Sequence, residues 1–441
     1  MEIRSLEQLA IQVTSHGVGQ KRVLLSNEES GCGITQIAVT DLKAGEVSAV
    51  HIHPDMQEGF YVMDGILDVV LDDVAHHCKK DDFVMVKVGV AHELRAITDV
   101  RVMTIGCEIA SKRDQLYPIL FKPNLHTLVW GTEEWNASGV ASSPSVVDNG
   151  CWAGMSLPEL IENKPVEILG HKVVEKYGKA LPLLTKIIDA KQDLSIQVHP
   201  DDEMAHRLHQ KNGKTEMWYV IDAKPGACLY AGFRQHLTPE EYTKMVDEGT
   251  IVNALARHEV KKGDVFFLPA GRVHAICGGI KLAEVQQSSD VTYRIFDYNR
   301  LGLDGKLREL HTELAAQAIN YEVMDEYKTD YQQLENNSTH CIDSDFFCVR
   351  VIDVADTFHR NLIKFDSFII AVAVEGSCKI RVRSTKAEAI VNEGYACLVP
   401  ALLADYDIIP LNGKVKLLEA FIDNKGESLL KKVSRFFHAT T

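Results

Sequence analysis

Two groups of residues in this chain have the types and spacing of metal ligands. The first is His51, His53, Glu58 and His92. His51 and His53 stand two apart in a β-rich run, so both imidazoles face one side of a strand, and Glu58 and His92 can reach that side from neighbouring strands. Three imidazoles and one carboxylate make a divalent-metal site with open positions, suited to Fe, Mn, Ni or Zn. The second group lies in the middle of the chain. Gln197 and His199 are two apart in LSIQVH, Glu216 opens the apolar run EMWYVID, and His274 closes PAGRVH after a turn set by Pro269 and Gly271. Converging on one ion, this mixed N/O set is compatible with Zn²⁺ and leaves room for a water or a substrate oxygen. His206 and His209 follow on a polar stretch and are expected in solvent or behind the ligands.

The elements that must position these residues are mostly strands. From about Gly31 to Glu108, EGFYVMDGILDVVL and DFVMVKV alternate in short β-rich runs broken by Gly and Asp turns, which predicts an antiparallel barrel or sandwich. SKRDQLYPILFKPNL, from Ser111 to Leu125, reads as a linker. Beyond it KIIDAKQDLSIQVHP, EMWYVID, DVFFLPAG and CVRVIDV read as strands. Helices are predicted in SLPELIENKPVEIL, in the capped TPEEYTKMVDEGTIVNALARH, and in RELHTELAAQAIN, with Leu310, Leu314 and Ala318 spaced i, i+4, i+8.

One plan, a hairpin followed by a strand and a turn that aims a residue back, occurs three times. It predicts three units: a metal-binding unit over 1–115, a catalytic unit over 120–330 with helical insertions, and a third over 331–441. The third has Ala371, Ala373 and Asp405 where ligands would stand, so no metal site is expected there.

The repeated plan resembles the cupin family of small, jelly-roll-like β-barrels, with motifs G-x5-H-x-H-x4-E-x6-G and G-x5-P-x-G-x2-H. The first copy meets the first motif with Gly45, His51, His53, Glu58 and Gly65. In the second motif it keeps His92 but has Asp81 and Lys87 in place of the glycine and proline. From about Leu125 onward the resemblance is closer. LSIQVHPDD, GKTEMWY, TPEEYTKMVDEGT, KKGDVFFLPAGRVHAI and DVTYRIFDYNR are similar, in order, to the signatures of the type I phosphomannose isomerases of the short bacterial form. That resemblance implies Gln197, His199, Glu216 and His274 as zinc ligands. It also implies interconversion of mannose 6-phosphate and fructose 6-phosphate through a zinc-assisted cis-enediol.

Such a reaction needs a proton carrier and a sink for negative charge. Arg294, in TYRIFDY, matches the family's active-site arginine. Lys214 is the first candidate base, with Asp290 and Glu284 as alternatives. Ser195 and Lys186 match positions associated with substrate binding, and a hydroxyl and an ammonium suit phosphate oxygens. Arg300 is a weaker candidate. Trp218, Tyr219, Tyr293 and Tyr298 are expected as core or pocket wall.

Composition bounds the rest. A chain of 441 residues, 46% apolar and 25% charged, is that of a soluble multi-domain protein. Its start has no apolar signal region, and no run approaches a membrane span. Ten scattered cysteines read as buried thiols of a reducing, cytoplasmic compartment. A net charge of −15 argues against nucleic acid as a partner. The expected partner is a small sugar phosphate, with the terminal KKVSRFFHATT as a packing segment. Two alternatives stand beside the enzyme: a non-catalytic sugar-phosphate sensor, and a bifunctional protein whose first unit carries a separate metal-dependent activity.

Overall fold

A computed structural model describes residues 3–14, 16–30, 33–108 and 116–423. The terminal KKVSRFFHATT lies outside them. The named strands pair only antiparallel and form six sheets, two to each unit, so the units are paired open sheets and not the closed barrels expected from the motifs. Among the described residues no helix is long and apolar enough to cross a membrane.

The first unit pairs a six-stranded sheet, centred on Ile34–Leu42, Val100–Glu108 and Met56–Asp64, with a three-stranded sheet of Val74–Lys79, Ile66–Leu71 and His92–Ala96. Its core is Phe60, Val62, Val102, Leu67, Val69 and Leu94, drawn from the inward alternate positions of both sheets. Asp81, standing where the motif has glycine, takes φ +76°, and Tyr61 donates its hydroxyl to the Asp81 carboxylate at 2.7 Å. The turn therefore keeps a glycine-like backbone, with a side-chain hydrogen bond to offset its strain.

In the middle unit a seven-stranded sheet contains Leu183–Ala190, Ile280–Gln287, Glu216–Ala223 and Val265–Leu268. It faces a five-stranded sheet of Leu255–Glu259, Cys228–Phe233, His274–Ile276, Ile196–Val198 and Tyr293–Phe296. Both faces of Glu216–Ala223 are buried, which explains its nearly unbroken apolar run. Trp218 and Val220 pack inward with Leu229 and Ile276, while Met217 and Tyr219 pack outward into a core shared with the third unit. The helix Pro239–Asp247 begins at the expected capping box, in which Thr238 and Glu241 each satisfy the other's backbone N–H. The third predicted helix is shorter than its pattern suggests. It spans Thr312–Ala318, and Leu310 precedes it, 44% exposed.

The predicted linker is bound in where it is described. Leu116, Ile119 and Phe121 are buried, and Ile119–Leu120 pairs with Ala396–Val399 at the edge of the third unit's six-stranded sheet. The helices Leu157–Asn163, Pro165–Leu169 and His171–Tyr177 join that same core. Apolar residues spaced for packing made this segment foldable, and the partner sheet that claims it lies nearly three hundred residues away. Of the cysteines, Cys107 and Cys151 are exposed, against the expectation that all are buried, and seven others are buried.

In the third unit Ala371 stands in register with Glu419. The Glu419 carboxylate is fully buried, bonded by both Nε and Nη2 of Arg360 and by the Tyr406 hydroxyl at 2.5 Å. This pair and its tyrosine satisfy the third unit's buried acid. Arg360→Ala leaves Glu419 as a buried, uncompensated charge, so we expect a loss of about 3–5 kcal/mol of stability, read as a lowered thermal midpoint with metal content unchanged.

Candidate functional site

The strand alternation of the middle unit assembles its site. Ile196 and Val198 point into one apolar core, so Gln197 and His199 point to the other face. Gln197 stands in register with His274 on one side and with Arg294 on the other, which puts these side chains on one surface. The turn leading to His274 requires Gly271. Its φ is +88°, and a Cβ there would lie 2.9 Å from the carbonyl oxygen of Ala318.

His199, Glu216 and His274 bring one ligand atom each within 4.8 Å of one another, and all three are buried. Each imidazole donates from Nδ1 to a carbonyl, His199 to Val291 at 3.0 Å and His274 to Arg272 at 2.8 Å, which turns the Nε2 lone pair inward. Glu216 Oε1 and His274 Nε2, 3.3 Å apart, are buried with no hydrogen-bond partner. Two orphaned ligand atoms aimed at one point fit a metal ion.

Burial, reinforced by the Lys214 charge, pulls His199 down to about 3. It also keeps His274 low, so both rings are neutral and able to ligate. Burial alone would raise Glu216, but the Lys214 ammonium beside it holds its carboxyl well below the ordinary range.

Behind the ligands runs a chain of alternating charges. Lys214 Nζ lies 2.6 Å from Glu216 and 3.0 Å from His199 Nε2, and 3.9 Å from Glu284. Glu284 is 3.2 Å from Lys186, which is 3.4 Å from Glu133. Trp218 donates its indole N–H to Glu284 at 2.9 Å, and Trp135 does so to Glu133 at 2.7 Å. Burial works against the Lys186 charge, but Glu284 and Glu133 more than offset it and raise its pKa. Glu284 is itself raised, by burial and then by Glu216. Lys186 thus spends its ammonium on two acids inside the unit, where the sequence had offered it to phosphate. Glu133 and Trp135, in EEW, carry no motif that would have marked them.

The remaining candidates divide. Ser195 is buried two positions before Gln197. Arg294 donates from Nη1 to the carbonyl of Glu309 at 2.8 Å and has its Nε buried without a partner. Asp290 is not brought to the cluster. It is exposed and paired with Lys211 at 2.6 Å. Arg300 is tied to Asp297 and to the carbonyl of Asp193. His206 and His209 are exposed on the helix Asp202–His209, the latter 2.8 Å from the Tyr293 hydroxyl. Trp218, Tyr219 and Tyr293 are core, while Tyr298 is exposed at a left-handed turn.

The first unit brings its four predicted ligands together as well. The Nε2 atoms of His53, His92 and His51 lie 3.0, 3.3 and 3.9 Å from Glu58 Oε2. Nδ1 of His51 and of His92 donates to the carbonyls of Ala49 and Val90. Burial opposes the Glu58 charge, but the three imidazoles hold its carboxyl well below the usual range. A fourth ring was missed from sequence: His16 stacks on His51 with centroids 3.9 Å apart, from a segment with no motif. In the third unit Asp343, Cys348 and Asp423 also bring one ligand atom each within 4.8 Å of one another.

Comparison with known proteins agrees with this geometry. The family "Phosphomannose isomerase type I, catalytic domain" matches residues 108–227, and "Cupin domain" matches 38–106. The mannose-6-phosphate isomerase ManA of Bacillus subtilis is 37% identical over 279 residues, 59% of this chain and 86% of that protein. A crystal structure of a Bacillus subtilis mannose 6-phosphate isomerase superposes with a TM-score of 0.62 at 30% identity, covering 69% of this chain and 99% of the other. A putative mannosephosphate isomerase from Archaeoglobus fulgidus shares the fold, with a TM-score of 0.57 at 24% identity over 70% of this chain and 98% of its own. Relatedness at this level, over nearly the full length of its relatives, makes the chain a member of the mannose-6-phosphate isomerase family, extended by a cupin unit.

Proposed function

We propose that the middle unit interconverts mannose 6-phosphate and fructose 6-phosphate through a cis-enediol, with a zinc ion held by Gln197, His199, Glu216 and His274. The observation that carries this is the orphaned pair of Glu216 Oε1 and His274 Nε2, buried in a chain of this family. The bound ion supplies Lewis acidity to the sugar's carbonyl and hydroxyl oxygens.

The chain's own residues do the rest. Lys214, beside the ligands, carries the proton between C1 and C2, and Glu284 is the second carrier within reach. The surface pairing of Asp290 with Lys211 argues against it as the base. Arg294, in register with Gln197, stabilises the developing enediolate. Ser195 contacts the substrate from the same face, while Lys186 keeps Glu284 in place. A sensor would have no use for Lys214 and Glu284 beside an intact ligand set. The nine described cysteines are all free, which supports a reducing, cytoplasmic setting.

The first unit, in this reading, binds its own divalent ion through His51, His53, Glu58 and His92. The ligand types suit Zn, Fe, Mn or Ni.

Chelation is expected to abolish mannose 6-phosphate turnover and added Zn²⁺ to restore it, whereas activity in metal-free protein would sink the isomerase assignment. Arg294→Lys tests the charge sink. A contact made mainly in the transition state predicts that kcat falls by about two to three orders of magnitude with a smaller change in KM, and a loss confined to KM would make Arg294 a ground-state binder. For the first unit, elemental analysis of His51→Ala should show one metal equivalent fewer per chain with turnover largely retained. Unchanged metal content would make that cluster structural only.

A further inference from the structure

The segment Val50–His53 serves two directions at once. His51 and His53 point into the first unit's cluster, and the alternate residues Val50 and Ile52 point outward, where they pack with Ile363, Leu402 and Leu403 of the third unit. Asn361 of the third unit donates to the carbonyl of Val50 at 3.4 Å. The docking encloses a cleft of about 520 Å³ whose lining includes His16, His51 and His53 on one wall and His359, Arg383 and Lys386 on the other. Glu58 and His92 do not line it, so the cluster meets the cleft through His51 and His53.

The charges on the far wall are only partly spent. His359 Nε2 lies 2.6 Å from Asp405 and 3.2 Å from Arg383 Nη1, and Arg383 approaches the Asp407 carboxylate only to 4.0 Å. Lys386 is exposed and has no ion-pair partner among the described residues.

We infer that this cleft is a second small-molecule site. Its ligand is an organic anion that chelates the ion of the His51–His53–Glu58–His92 cluster through a hydroxycarboxylate end and presents a second anionic group to Arg383 and Lys386. The inference rests on the first unit holding a metal, and goes beyond it by making the third unit half of the site. Three neutral imidazoles and one carboxylate leave a divalent ion with a net positive charge and open positions, which an oxygen chelate satisfies. The guanidinium and ammonium opposite favour a carboxylate or phosphate at the far end. The third unit contributes by closing the first.

Titration calorimetry on the metal-loaded full chain tests this, with equilibrated, saturating mannose 6-phosphate to occupy the isomerase site. Malate is compared with lactate, and 6-phosphogluconate with gluconate, each pair differing in the distal anionic group. The two-headed member of at least one pair should bind at least tenfold more tightly, and which pair shows the preference tells carboxylate from phosphate. Arg383→Ala with Lys386→Ala should erase the preference while metal content and thermal midpoint stay unchanged. His51→Ala should remove the binding altogether. Metal present in the first unit with no preference in either pair, or a preference that survives the double substitution, overturns the inference alone. A first unit that takes up no metal overturns it together with the second-metal reading.

Discussion

The middle unit is organised around one requirement, that a carboxylate with no exposure to solvent remain charged. Burying Glu216 without compensation would cost several kcal/mol. Lys214 at 2.6 Å offsets that cost. Lys214 in turn lies next to Glu284, which is next to Lys186, which is next to Glu133. The charge chain ends at Glu133, whose partner Trp135 lies in register with Lys186. A reaction that moves a proton beside a metal gains from such a frame, because the charges are fixed in place before substrate arrives.

The three units solve the same interior in three ways. The first converges three histidines on Glu58, and the middle one combines Gln197, two histidines and Glu216. The third satisfies its buried acid, Glu419, by Arg360 and Tyr406. A ligand cluster and a salt-bridged core answer one problem, a polar group inside a sheet pair, and the middle unit's cluster leaves Glu216 Oε1 and His274 Nε2 orphaned for an ion. The units are also not independent in space. The middle unit's long sheet buries its outer face against the third, and the first docks on the third through Val50 and Ile52.

Much of this was legible in the sequence because strand chemistry repeats every two residues. Gln197 with His199, and His51 with His53, announce a shared face, and Asp81 could replace a glycine because an aspartate tolerates a left-handed turn. Thr238 and Glu241 marked a helix start through a contact only three residues long. Leu310 lies outside the helix because its i, i+4 spacing extends ahead of Thr312, where the helical backbone begins.

What the sequence by itself determined is therefore what depends on near neighbours: the strand-rich plan, the shared faces of its paired histidines and the family. Tertiary structure alone decided what depends on residues distant in sequence. It withdrew Asp290 to a surface pair with Lys211, gave Lys186 to two acids, added His16 and Glu133 to the sites, and drew the predicted linker into a sheet formed by Ala396–Val399. The physical reason is that local backbone geometry sets which way a side chain points, whereas the charge it meets there is supplied by whichever strand the fold lays alongside.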